Sequence, residues 1–272
     1  MINLSNQRLK QLSIEYGVSH HETLLLLSNI LKQEYSKLFF TKSYQLSDEN
    51  YEKFILNLSR RSKCEPIAKI VGEKEFYGVK FKTTQDTLDP RPETETLIEL
   101  VREYYPNTLQ QLKILDLGAG TGCIGITLLK LYVNASCCFV DISPNALDVA
   151  KKNAQIHKVD TQSQFIVSNW FQNVNGDFDV IVSNPPYVET EYPLDKSTLY
   201  DPAIALFAGA DGMDAYRAIL PSVSKYLRPD GLLFIEIGFC QQIDKITSDL
   251  RLLCTKKDLS QINRACVLKR LQ

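Results

Sequence analysis

From Pro90 onward, short and almost wholly apolar runs alternate with longer stretches of helical periodicity, and this alternation limits the fold more than any other feature of the chain. The apolar runs fall at 113–117, 137–141, 165–168, 178–183 and 232–237, and helical patterns separate most of them at 123–131, 144–157 and 214–227. Strands that are apolar on both faces must be covered on both sides, which is the condition of a parallel sheet wound with crossover helices. Another helix is predicted from Pro92, whose missing N–H costs nothing in a first turn, to about residue 105. Two more strand candidates, near 250–254 and 265–268, close the chain.

The first 65 residues lack this alternation. Leu4, Leu9, Leu12 and Ile14 are spaced for one helix face, Ser19 to Glu22 has capping-box form, and a helix opening after Ser47 carries Tyr51, Phe54, Ile55 and Leu58. The expectation is a small all-helical domain over 1–65. From Pro66 the pattern changes to Ile67, Ile70 and Val71, a turn at 72–75, and then Phe76, Tyr77, Val79 and Phe81. These predict a β-hairpin connector over 66–85, followed by the α/β domain over 86–272.

With 272 residues, 44% of them apolar and 23% charged, the chain can bury two cores without disulfides or metals. It carries 31 Lys+Arg against 32 Asp+Glu, with 13 basic and 11 acidic residues before Pro90 and 18 and 21 after it. Neither part is a basic module, which argues against a protein that grips nucleic acid by its phosphates. The longest apolar run, Ala203 to Ala208, is far short of the roughly 20 residues that cross a bilayer. The amphipathic first residues contain no signal-type apolar block. Seven cysteines, an odd number without C-x-x-C spacing and far from the three histidines, suggest neither a disulfide framework nor a metal site, so a reducing cytoplasm is expected.

The chemistry concentrates in two places. Asp116-Leu117-Gly118-Ala119-Gly120-Thr121-Gly122 follows the first strand of the α/β region and opens a helix. Its glycines allow a tight turn and close ligand approach, and the helix start offers free N–H groups. Asp141 stands 21 residues after Gly120 at the end of the next strand, placed to grip two ribose hydroxyls. A nucleotide-ribose ligand is expected. Asn184-Pro185-Pro186-Tyr187 follows the fourth strand. The Asn184 side-chain oxygen and the Pro185 carbonyl can each accept a proton from a planar NH2 group, Tyr187 can stack on that group, and consecutive prolines pre-set the turn.

Together these segments resemble class I methyltransferases that use S-adenosylmethionine and act on an amide or exocyclic amino nitrogen. Three further stretches, Pro66 to Gly72, Asp89 to Glu95 and Tyr200 to Gly212, are similar to the PrmC/HemK family, the glutamine N5-methyltransferases of class 1 peptide chain release factors. That resemblance implies a Rossmann-like, mostly parallel seven-stranded sheet preceded by a small helical domain that recognises the substrate protein. It implies that Asp116, Gly118, Ala119, Gly120, Thr121, Gly122, Asp141, Asn169, Trp170 and Asn184 hold S-adenosylmethionine or its product S-adenosylhomocysteine, with no metal. It assigns Asn184, Pro185, Pro186 and Tyr187 to the glutamine, with Asn184, Pro185 and Tyr187 in catalysis. The partners it implies are release factors, with no direct nucleic acid, no membrane and a monomeric enzyme in the cytoplasm. The residue before Trp170 is commonly Asp in the family; here it is Asn169, whose amide oxygen can still accept from an adenine amino group, so weaker cofactor binding is expected. The segment 260–264 is poorer in Gly and Arg than the family pattern. Competing readings are a glutamine methyltransferase of a ribosomal protein, an adenine N6 methyltransferase of nucleic acid, and an NAD-dependent oxidoreductase, which would leave Asn184 to Tyr187 without a role.

Overall fold

The computed structural model describes residues 1–239, 241–243, 246 and 249–271, and the chain divides into two compact units. The first comprises Met1–Gly72 together with Leu194–Tyr200. Its helices are α1 (Asn6–Tyr16), α2 (His20–Leu31), α3 (Tyr35–Phe39), α4 (Asp48–Ser62) and α5 (Ile67–Val71). Ser5, Ser19 and Ser47 cap α1, α2 and α4, and the predicted capping box of Ser19 with Glu22 is formed. Leu9, Leu26, Leu27, Leu38, Phe54 and Leu58 form its core.

This unit is not wholly helical. β1 (Ile2–Ser5) pairs antiparallel with β2 (Ser43–Leu46), so that Leu4 and Tyr44 face one another and are buried. The segment expected to begin the hairpin is instead α5: five residues after Pro66, ended by Gly72 in the left-handed conformation with φ 80°. The hairpin follows in the second unit as β3 (Glu73–Phe76) and β4 (Val79–Lys82), turning at Tyr77 and Gly78, both with positive φ, rather than at 72–75.

The second unit, Glu73–Pro193 and Asp201–Gln272, is built around a seven-stranded sheet. Its elements in chain order are α6 (Glu95–Tyr104), β5 (Lys113–Leu117), α7 (Cys123–Leu131), β6 (Ser136–Asp141), α8 (Pro144–Ile156), β7 (Ser163–Val167), β8 (Phe178–Ser183), α9 (Asp214–Val223), β9 (Leu227–Glu236), β10 (Leu250–Lys257) and β11 (Asn263–Arg270). The strand order is β10-β11-β9-β8-β5-β6-β7, and only β11 runs against its neighbours. Residues of alternate parity along the central strands feed two cores. Ile114, Phe139 and Val180 pack with α6, α7 and α8 on one face, while Leu115, Val140 and Ile181 pack with α9 on the other.

From β5 the chain winds outward through β6 to β7, then returns to β8 on the opposite side of β5. The carboxyl ends of β5, β6 and β8 therefore open a crevice at the reversal of strand order, the place where sheets of this kind hold ligands. Among the described residues no helix is long and apolar enough to cross a membrane.

Candidate active site

The loop after β5 is shaped by three glycines in the left-handed region: Gly118 at φ 77°, Gly120 at 54° and Gly122 at 75°. Gly118 and Ala119 donate their N–H groups to the Val140 carbonyl at 2.8 and 2.9 Å, which ties the loop to the end of β6. The neighbouring Asp141 carboxylate accepts from Gly120 N at 2.8 Å and Ser143 N at 2.9 Å, one bond to each oxygen. Burial raises the Asp141 pKa and these backbone bonds oppose the rise. A Cβ added to Gly120 would meet nothing within 4 Å, so there is open space above the loop at that residue. Trp170, itself at φ 49°, brings Cζ3 to 3.7 Å from a Cβ built on Gly118 and walls the loop on that side.

Gly118, Ala119, Gly120, Thr121, Asp141, Asn169, Trp170, Asn184 and Pro186 line one cavity of about 330 Å³. Asp116, Gly122, Pro185 and Tyr187 are not among its lining residues. Gly122 is the N-cap of α7, and a Cβ there would crowd Ala150 and Ile126 at 3.1 Å. Asp116 lies wholly buried beneath the loop, where one oxygen accepts from Gly125 N at 2.9 Å and the other has no partner among the described residues. Desolvation pushes its carboxyl up to about 7.

The Asn184 turn is held by groups the sequence did not single out. Asn184 Nδ2 donates to Thr94 Oγ1 at 3.0 Å, Thr94 Oγ1 donates to Glu236 Oε2 at 2.6 Å, and the Tyr187 hydroxyl donates to Glu236 Oε1 at 3.2 Å. Glu236 ends β9 at 1% exposure, and desolvation pushes its carboxyl up to about 7. The Gln241 amide donates to the carbonyls of Tyr187 at 3.0 Å and Gly212 at 2.9 Å, while its oxygen accepts from Gly238 N at 2.8 Å. Val188 N donates to the Leu206 carbonyl and the Val188 carbonyl accepts from Ala208 N, both at 2.8 Å, and Phe207 and Ala208 lie in the cavity wall. Arg91, also in the wall, is fixed by Asp201 at 2.6 Å. The stretches 89–95 and 200–212 were conspicuous as sequence, but only the folded chain assigns them places; for Glu236 the signal that went unread is a carboxylate inside an otherwise apolar strand.

Residues 86–201 match the methyltransferase small domain and residues 2–72 match the PrmC N-terminal domain. A release factor glutamine methyltransferase of Cereibacter sphaeroides is 40% identical over 219 residues, covering 79% of this chain and 77% of its own. The chain belongs to the release factor glutamine methyltransferase family. A bifunctional methyltransferase of Rickettsia typhi is 37% identical over 262 residues, which cover 89% of this chain and 50% of that one. The chain thus spans about half the length of the bifunctional relatives it matches. A solved methyltransferase structure from Pyrococcus furiosus superposes with a TM-score of 0.51 at 14% identity, covering 82% of this chain and 98% of that one, and so shares the fold. Membership gives the expected class I fold its family.

Proposed function

We propose that the protein transfers a methyl group from S-adenosylmethionine to the side-chain amide nitrogen of a glutamine in a class 1 peptide chain release factor. The observation that carries this reading is the orientation of Asn184. One N–H of its NH2 is donated to Thr94, and Asn184 lines the cavity, so we take Oδ1 as the acceptor it offers there. A free carbonyl-type oxygen there suits a substrate that presents N–H groups, and a glutamine amide does.

The loop fits the donor. Gly120 leaves space where any other residue would place a Cβ, and the Asp141 carboxylate, bonded to backbone N–H groups, keeps acceptor capacity for a ribose hydroxyl. Gly118, Ala119, Thr121, Asn169 and Trp170 would complete that half of the cavity. When bound, S-adenosylmethionine supplies an electrophilic methyl group on a sulfonium.

An amide nitrogen is a weak nucleophile because its lone pair is delocalised. Asn184 Oδ1, by accepting from an amide N–H bond, aligns that nitrogen and places partial negative charge beside the positive charge that develops on it during in-line attack. The Pro185 carbonyl, expected from sequence to accept from the other N–H, does not line the cavity and is given no part here. The proton leaves to water after transfer. The first unit, which matches the PrmC N-terminal domain, is assigned the recognition of the release factor body, and the setting is the cytoplasm.

The test incubates the protein with methyl-labelled S-adenosylmethionine and purified release factors, alongside factors whose loop glutamine is replaced by Glu or Ala. Label on the wild-type factor and none on either variant is expected, since neither replacement offers an NH2 nitrogen. Asn184→Ala should lower turnover by roughly 100-fold or more, as removal of one preorganised electrostatic partner does elsewhere. Label persisting on the replaced loop, or appearing instead on adenine in duplex DNA, would end the glutamine assignment.

A further inference from the structure

Nothing in the shape of a carboxamide separates its oxygen end from its nitrogen end; the neighbouring donors and acceptors decide which way it lies. For Asn184 the decision is made two bonds away. An ionised carboxylate only accepts, so Glu236 takes the single hydroxyl proton of Thr94 at 2.6 Å. The Thr94 oxygen is then left only with lone pairs, and Asn184 must offer it NH2, at 3.0 Å. The second Glu236 oxygen accepts from Tyr187, three residues along the same turn. One buried carboxylate thereby sets both the polarity of the Asn184 amide and the seat of the turn that carries it.

We propose that Glu236 is a positioning residue, which acts through Thr94 to keep Asn184 Oδ1 free for a substrate NH2 and through Tyr187 to hold the turn. The proposal rests on the reading of the cavity as an amide-nitrogen methylation site. Its converse explains why the charge matters. A protonated Glu236 can donate to Thr94, which then turns its own proton toward Asn184 and draws the amide oxygen inward, so that NH2 would confront the substrate's NH2.

The charged and titratable groups around Glu236 come from each element packed on it: Tyr187 on the turn, Glu93 on the 3-10 turn before α6, Arg264 on β11, Tyr216 on α9 and Cys123 on α7. Burial, together with Glu93, raises the Glu236 pKa, while Arg264 and the two hydroxyl bonds lower it. Turnover of the wild type should accordingly fall on the acid side of neutrality. In Glu236→Gln the amide oxygen takes the Tyr187 proton and the amide nitrogen donates to Thr94, which reverses the chain of donors at every pH.

The experiment measures kcat and KM for S-adenosylmethionine and for a release factor with wild type, Thr94→Val, Thr94→Ser and Glu236→Gln, and follows the exchange of the Asn184 side-chain amide protons by NMR in the protein without substrate. Thr94→Val and Glu236→Gln should lose on the order of 10- to 100-fold in kcat, the scale of a misplaced reacting geometry, with the cofactor KM unchanged. Thr94→Ser, which keeps the hydroxyl, should restore turnover. The amide protons should exchange slowly in wild type and rapidly in Thr94→Val, and the acid limb of the wild-type profile should be absent from Glu236→Gln. Wild-type kcat in Thr94→Val, a loss carried entirely by cofactor KM, or failure of Thr94→Ser to restore turnover would overturn the proposal. If Thr94→Val does not fold, rapid exchange of the Asn184 amide in wild type would overturn it alone. A wild-type protein that methylates no release factor would instead sink the functional reading, and the exchange measurement would still judge the positioning role.

Discussion

Asp141 shows how much one side chain does at this site. Its two oxygens join backbone from two segments, Gly120 in the loop after β5 and Ser143 at the start of α8, and the proposed function gives its remaining acceptor capacity to a ribose. Asp141→Ala should weaken S-adenosylmethionine binding by about 1.5–3 kcal/mol, the range for hydrogen bonds to a charged group. Isothermal titration calorimetry checks this, and an unchanged dissociation constant would remove Asp141 from the cofactor half of the cavity. Asp141 was legible in the sequence because the strand that ends on it lies one helix from the glycine loop, so spacing alone brings them together. Thr94 and Glu236 were not legible, because 142 residues separate two side chains that touch only once the start of α6 packs on β9.

Among the elements, α7 approaches the sheet closely at Gly125, where the absence of a side chain makes room. A Cβ there would lie 2.5 Å from Phe139 Cε1, 2.8 Å from Cys137 Sγ and 2.9 Å from Asp116 Oδ2, all buried groups with little room to shift. Gly125→Ala should therefore destabilise the fold by about 1–3 kcal/mol, as overpacking does. Denaturant titration would show it as a lower midpoint at unchanged slope; a midpoint equal to wild type would mean that the helix can lift away freely. The central strands were readable because a run such as Phe178–Ser183 is apolar on both faces and leaves few alternatives. β1 and β2 escaped notice because four-residue strands pairing across 40 residues leave no periodicity to count. Ile67–Val71 is ambiguous for the same reason: five apolar-rich residues fit one helical turn or one short strand, and the left-handed Gly72 decides for the helix.

At the scale of the whole molecule, the two carboxyls buried under the site tie stability to pH. Asp116 and Glu236 are both pushed up to about 7, from ordinary values of 3.8 and 4.5. Between those limits the folded chain keeps protons that the unfolded chain has released, so these groups make stability fall as pH rises toward neutrality, after which the loss levels off. Asp116→Asn removes one such group. Calorimetric melting temperatures measured from pH 5 to 8 should fall less steeply for this variant than for wild type, and parallel curves would show that Asp116 is ionised throughout. The first unit, for its part, is not a bead on a single thread. The chain leaves the second unit after Pro193, spends Leu194–Tyr200 in the first, where the Tyr200 hydroxyl donates to the Lys63 carbonyl at 3.0 Å, and returns at Asp201 to build the cavity wall. For a lineage that shuffles domains this is a restriction: a new amino-terminal unit acquired by recombination at residue 72 would arrive without the seven downstream residues its predecessor had recruited, so the two stretches must be inherited, and must change, together.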